Sequence, residues 1–218
     1  MVQRRVLVAG AGGDAELVAG CVRSAGAAVV PRLDTDAAPD VCLLTRSTVV
    51  DRLVPRRWVP LVARTTVGVF VQPHRLADGP VRAWVARTLD ARRPLPLYAA
   101  DRLELPRLVR EAVRECWSTR DQLETVLLAA SELTSNAVQH SDTATSASVT
   151  CADGRLLVEA VDDRPLDLPC IAGPGDERPA AGLGHGLRIV AATADRWGVT
   201  VHPTCKIVWC EFDQPPRV

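Results

Sequence analysis

The sequence predicts two modules in series: a doubly wound α/β unit over residues 1–94 and an α+β unit over residues 95–218. Three observations carry this. Short continuous apolar runs alternate with helix-compatible stretches in the first part, the pattern of a parallel sheet covered on both faces. The stretch Ala91-Arg92-Arg93-Pro94-Leu95-Pro96 then interrupts every periodicity with two prolines and paired arginines. Beyond His140 the apolar period changes from 3.6 to 2, which segregates helices from antiparallel strands.

Each element follows from its local pattern. Arg5 to Ala9 is an apolar, β-branched run, Ala15 to Ala25 is helix-compatible, and Ala27 to Pro31 and Val41 to Thr45 are strand-like. Pro60 to Ala63 and Val67 to Val71 continue the strand series. Pro80 opens a helix over Val81 to Arg92, with apolar positions 81, 84, 85 and 89 on one face. In the second unit Pro106 starts a helix reaching Trp117, with Leu108, Val109, Ala112 and Val113 inward, and Asp121 to His140 forms a longer one. Thr145 to Cys151 and Arg155 to Val161 read as a hairpin around Ala152-Asp153-Gly154. Leu183 to Asp195 returns to helix, and Trp197 to Val201 with Ile207 to Phe212 are strands.

Composition narrows the function classes. With 26 basic and 26 acidic residues there is no global field to attract nucleic acid or an anionic membrane surface. Lys206 is the only lysine; every other basic residue is arginine. The seven cysteines, at 21, 42, 116, 151, 170, 205 and 210, are scattered and form no Cys-x-x-Cys pair, which fits reduced thiols and neither a disulfide frame nor a zinc site. The apolar run after Arg4-Arg5 is too short for a signal peptide or a membrane span, so the expectation is a soluble, cytoplasmic protein.

The chemistry centres on Ser131-Glu132-Leu133-Thr134-Ser135-Asn136-Ala137-Val138-Gln139-His140. Glu132, Asn136 and His140 recur at four-residue intervals, so a helix stacks them on one face. Leu127, Leu128, Leu133, Ala137 and Val138 surround them. Such a stripe is either a solvated face or the wall of a polar ligand site, because buried polar groups need partners. Asp162, followed by Asp163-Arg164-Pro165, ends a strand, where a carboxylate serves either as turn chemistry or as acceptor for an exocyclic amine. Gly182-Leu183-Gly184-His185-Gly186-Leu187 opens a helix with three alternate glycines, either a plain cap or a phosphate cradle of uncovered N–H groups.

In this order the motifs resemble the nucleotide-binding boxes of the Bergerat-fold ATPases, and within them the anti-sigma-factor serine kinases of actinobacterial type. The segments that carry the resemblance are Glu132-x3-Asn136-x3-His140, Asp162-Asp163-x-Pro165, Gly182-x-Gly184-x-Gly186-Leu187 and Ala194-Asp195-Arg196-Trp197-Gly198. They span about Leu95 to Phe212. The resemblance implies an α/β sandwich, a mostly antiparallel sheet with helices on one face, that holds ATP and Mg²⁺ under a lid. By position, Asn136 would ligate Mg²⁺, Asp162 would accept the adenine amine, and Gly182, Leu183, Gly184, His185, Gly186 and Leu187 would line the phosphates. His140 would border the pocket, and Glu132 would orient or deprotonate a partner's serine or threonine hydroxyl.

It further implies a protein serine/threonine kinase or a non-catalytic ATP-dependent switch, with an anti-anti-sigma-like protein or a sigma factor as partner. Two positions depart from the pattern. Arg164 stands where the family often has a glycine, and Cys205-Lys206-Ile207-Val208-Trp209 carries isoleucine where a threonine hydroxyl would support adenine binding.

The first unit carries two competing readings. Gly10-Ala11-Gly12-Gly13-Asp14, with Asp34 or Asp36 downstream, has the look of a dinucleotide turn and would make a nicotinamide oxidoreductase. Pro39-Asp40-Val41-Cys42-Leu43-Leu44-Thr45 and Val67-Gly68-Val69-Phe70-Val71-Gln72-Pro73 instead resemble strands of a flavodoxin-like receiver domain. Its acceptor aspartate is replaced by Thr45, its acidic pair by Gly10 and Ala11, and its lysine by Gln72. Such a degenerate receiver would serve as an interaction or homodimerisation surface, with Trp84 either a contact or, as is commoner for a tryptophan on an amphipathic helix, part of the core.

Overall fold

The computed structural model describes residues 5–9, 13–30, 41–46, 66–71, 78–89, 102–117, 120–141, 145–152, 154–165, 167 and 185–214. Among them the first part of the chain supplies β1 (Arg5–Ala9), α1 (Gly13–Ser24), β2 (Ala28–Val30), β3 (Val41–Arg46), β4 (Thr66–Val71) and α2 (Asp78–Leu89). A single 3₁₀ turn, Arg102–Glu104, leads into α3 (Leu105–Cys116) and α4 (Arg120–His140). Then follow β5 (Ser146–Ala152), β6 (Arg155–Asp162), α5 (His185–Thr193), β7 (Arg196–Val201) and β8 (Lys206–Asp213). The strand expected at Pro60 to Ala63 and the linker at 91–96 lie outside the described residues.

Local chemistry fixes the ends. Gly26, at φ +78°, closes α1 in the left-handed region, and its N–H bonds to Arg23 O at 3.0 Å. Gly154, at φ +69°, turns the β5–β6 hairpin, where Ala152 and Arg155 pair across the ends. Pro106 sits in the first turn of α3, where a missing N–H costs nothing.

The eight strands form one mixed sheet in the order β2-β1-β3-β4-β7-β8-β6-β5. β2, β1, β3 and β4 run parallel to one another, whereas β7, β8, β6 and β5 pair antiparallel. β4 and β7 join the two halves antiparallel, with Val67 opposite Val201 and Val71 opposite Trp197. The chain is therefore an α/β protein whose parallel and antiparallel parts share one hydrogen-bonded sheet.

Strand alternation divides the core between the two faces. On one face α3, α4 and α5 cover β5 to β8: Val109, Val113, Val126, Leu133, Ala137 and Val190 pack against Ala147, Leu156, Val158, Val199 and Cys210. Trp117 and Phe212 add an edge-to-face pair at 6.3 Å, a contact worth about 0.5–1.5 kcal/mol beyond its area. On the other face Val18 and Val22 of α1 and Val81, Trp84 and Val85 of α2 form a cluster that includes Leu157 of β6 and Trp209 of β8.

One expectation changes here. The antiparallel half is covered on both faces, because Leu157 and Trp209 alternate outward and α2 buries them. Of the two readings of Trp84, core is the one the structure supports, since it is 1% exposed.

A charge cluster completes the packing of α2. Glu211, 1% exposed, receives Arg196 Nε at 3.0 Å and Arg155 Nη1 at 3.5 Å on one oxygen and Arg87 Nη2 at 3.5 Å on the other. Glu159 receives Ser148 Oγ at 2.8 Å and lies 3.9 Å from Arg87 Nε, while the Arg87 guanidinium sits 5.4 Å from the Trp209 ring centre. Arg196 also forks onto both oxygens of Asp213.

Cys21, Cys116, Cys151, Cys205 and Cys210 are free thiols. Among the described residues no helix is long and apolar enough to cross a membrane.

Candidate functional site

Helix α4 buries Val126, Leu127, Ala129, Ala130, Leu133, Ala137 and Val138, which leaves Glu132, Asn136 and His140 half-buried on an adjoining stripe. Leu128, one of the apolar residues around the stripe in sequence, is 47% exposed. Ser131 Oγ donates to Leu127 O at 2.7 Å and Thr134 Oγ1 to Ala130 O, so these hydroxyls are spent within the helix.

Helix α5 lies across α4 at the stripe, and Gly186 permits the approach. A methyl group at that position would lie 2.5 Å from Glu132 Oε2, 3.0 Å from Asn136 Nδ2 and 3.3 Å from Glu132 Cβ. The backbone at the start of α5 thus rests directly on the carboxylate and the amide.

The sheet contributes the opposite wall. Asp162 and Lys206 are register partners at the end of β6 and the start of β8, 2% and 4% exposed. Lys206 Nζ donates to Asp162 Oδ1 at 2.6 Å and to Arg164 O at 2.9 Å. Arg164 N–H closes an Asx turn on the same Oδ1 at 3.0 Å. Burial raises the Asp162 carboxyl above the usual carboxylate range, against the pull of Lys206, the Arg164 N–H and His140. Ser141 Oγ donates to Asp163 Oδ1 at 3.0 Å, which ties the end of α4 to the end of β6.

Between these walls lies a pocket, partly open to solvent, whose empty space with its open mouth included is about 360 Å³. Its apolar lining is Leu133, Ala137, Leu187 and Val208; its polar lining is Asn136, His140, Asp162, Asp167 and Lys206. His140 Nε2 is buried and has no hydrogen-bond partner among the described residues. The mixture of apolar walls with a few convergent polar groups is that of a small-molecule site.

Of the residues singled out in the sequence, Asn136, His140, Asp162 and Leu187 meet at this cavity, and Glu132 with Gly186 stands beside it. Gly182, Leu183 and Gly184 lie outside the described residues, as does the His185 side chain. The dinucleotide-turn residues Gly10 to Gly12, with Asp34 and Asp36, are outside them too. The Arg164 guanidinium pairs with Asp167 at 3.4 Å on the surface, and Arg164 is not part of the cavity lining.

Ile207 sits between Lys206 and Val208, both of which line the cavity, so strand alternation turns it to the other face. A threonine there would point away as well. Sequence reasoning missed the Asp162–Lys206 pair; a single lysine opening a strand was the available signal, but only the β6–β8 register matches it to Asp162.

Among the described residues no group of three or more His, Cys, Asp or Glu side chains forms a metal cage. No protein-family model matches the chain, and a search of curated proteins finds no match.

Proposed function

We propose that this chain is an ATP-binding regulator of Bergerat type that takes Mg²⁺ with its nucleotide. On this reading it passes the γ-phosphate to a serine or threonine of an anti-anti-sigma-like partner, sequesters a sigma factor, or does both, in the cytoplasm and without direct contact to nucleic acid. The observation that carries this reading is the convergence on one cavity of Asn136 and His140 from α4, Asp162 from β6 and Leu187 from α5. These are residues of three separate motifs in the order the resemblance requires.

The residues present fit the group. The pocket has apolar walls suited to a planar base, His140 Nε2 is a buried polar atom without a partner among the described residues, and Gly186 lets the start of α5 pack against Glu132 and Asn136. Asp162 would accept the exocyclic amine, and the Asn136 amide oxygen would hold the metal together with phosphate oxygens and water, as suits a hard cation without a protein cage. The metal supplies electrostatic neutralisation of the phosphates, the larger share of phosphoryl-transfer catalysis together with positioning. Glu132 would orient the acceptor hydroxyl, a role typically contributing about 10²–10⁴-fold.

Titration of the full chain with ATP, with and without Mg²⁺, tests the proposal. The wild type is expected to bind, Asn136→Ala to lose the Mg²⁺ dependence, and Asp162→Asn to lose affinity. Absence of binding at millimolar ATP overturns it.

A switch without chemistry is the second reading, favoured by the packing of Glu132 against Gly186, which couples the stripe to the start of α5. Glu132→Ala separates the two. A variant that still binds ATP but transfers no phosphate to the partner supports catalysis, whereas a wild type that binds and never transfers supports the switch.

A further inference from the structure

Of 26 basic residues 25 are arginines, and the one lysine, Lys206, is buried in the wall of the cavity. An ammonium group carries three N–H donors and no acceptor. One N–H goes to Asp162 Oδ1 and a second to Arg164 O. No described group takes the third. On the carboxylate both bonds fall on Oδ1, so the lone pairs of Oδ2 are likewise unclaimed by the described residues.

Desolvating a charge with a donor unspent is costly, and an ion pair of this kind is often no more stable than an apolar pair of the same shape. What the pair does provide is an edge: on neighbouring strands, an acceptor stands directly beside a donor. A planar base whose exocyclic amine is flanked by an unprotonated ring nitrogen satisfies both at once. The amine donates to Asp162 and the ring nitrogen accepts from Lys206. In adenine the nitrogens that flank the amine are N1 and N7.

Building on the nucleotide reading above, we propose that Lys206 is a ligand-contacting, specificity-determining residue that donates its third N–H to a ring nitrogen beside the exocyclic amine of the bound base. An arginine would not serve as well, because its planar fork cannot hold a carboxylate, a backbone carbonyl and a ring nitrogen around one compact centre.

The test is a cycle between ligand atoms and this side chain, read as binding by calorimetry on the full chain with Mg²⁺. ATP, 1-deaza-ATP and 7-deaza-ATP are titrated into wild type, Lys206→Met and the neutral pair Lys206→Met/Asp162→Asn, the last keeping the experiment decisive if the single variant does not fold. One deaza analogue is expected to bind the wild type roughly tenfold more weakly than ATP. That difference should vanish in both variants.

A second readout uses the lone lysine. With ¹³Cε-lysine the protein gives a single NMR resonance, which ATP should shift and the discriminating analogue should leave nearer its free position. Equal sensitivity to the analogues in wild type and variants, or no sensitivity in the wild type, overturns the role of Lys206 while leaving nucleotide binding intact. A wild type that binds no ATP overturns the underlying reading instead.

Discussion

Two clusters of buried charge share the strands β6 and β8, and they differ in what they leave unsatisfied. On the α2 side all four carboxylate oxygens of Glu159 and Glu211 have a partner, drawn from Ser148, Arg87, Arg155 and Arg196. At the cavity, among the described residues, the bonds of Asp162 gather on one oxygen, one N–H of Lys206 has no acceptor, and His140 Nε2 has no partner. In the first cluster every carboxylate oxygen is engaged, and the cluster ties α2 to the sheet. The second leaves these groups open among the described residues. Burial of charge is common to both; they differ in the valence left unspent among the described residues.

The sharpest way to break this contrast is Glu211→Ala. It leaves Arg196, whose pKa burial lowers but Asp213 and Glu211 raise on balance, with Asp213 alone, and it removes a carboxylate from Arg87 and from Arg155. A loss of about 3–5 kcal/mol in urea denaturation is expected, with ATP affinity of the folded fraction unchanged. A change in affinity at constant stability would mean that the two clusters are not separate in role.

Asp162→Asn should behave in the opposite way. Its stability cost is smaller, about 1–2 kcal/mol, because Lys206 keeps its bond to Arg164 O and the amide oxygen of the substituted side chain can still accept from it. Its ATP affinity should fall at least roughly tenfold, as expected for the loss of a charged acceptor.

The same variant exposes a pH signature. Burial puts the folded-state carboxyl of Asp162 above its unfolded value, so the folded chain binds the extra proton. Wild-type stability relative to Asp162→Asn therefore falls as pH rises from the ordinary carboxylate range through the raised value, and is flat beyond it. Tm measured against pH for both proteins checks this. A rise with pH would mean that Lys206 governs the group instead of burial.

Gly186→Ala sharpens the comparison within the site. The added methyl meets the mobile end of Glu132, which can swing aside, but also Glu132 Cβ and the Asn136 amide. A stability cost of about 1 kcal/mol is expected, within the ordinary range for a point mutation. The loss of Mg²⁺-dependent ATP affinity should be the larger effect, read by titration with and without the metal. The smallest change is Leu128→Ser, on the exposed side of α4, which should stay within about 0.5 kcal/mol by denaturation.

The elements themselves were legible because their signals are local. The 3.6-residue spacing gave α3 and α4 within a residue or so at each end, and the glycine after Ala152 marked the hairpin. Asn136, His140, Asp162 and Leu187 were legible as a set because each occupies a motif.

What escaped was set by register and by faces. Glu159 and Glu211 sit inside apolar strands, Val158-Glu159-Ala160 and Cys210-Glu211-Phe212, and nothing short of strand pairing shows that both turn toward α2 and its Arg87. Ile207 looked like a lost adenine contact until its neighbours showed that it faces away. The bond between the halves was invisible for the same reason: β4 and β7 are each ordinary apolar strands, and no local feature says that they are neighbours.

That β4–β7 seam governs how the molecule is made and handled. Val67 must wait for Val199, Thr200 and Val201 to be synthesised before its edge is filled, so for most of translation the parallel strands present an open, apolar border. A chain cut at the proline-rich stretch would yield two fragments, each with a raw strand edge ready to pair with another copy. Expressed halves should therefore precipitate or swap strands, and nicking between residues 72 and 195 should leave the two pieces zipped together.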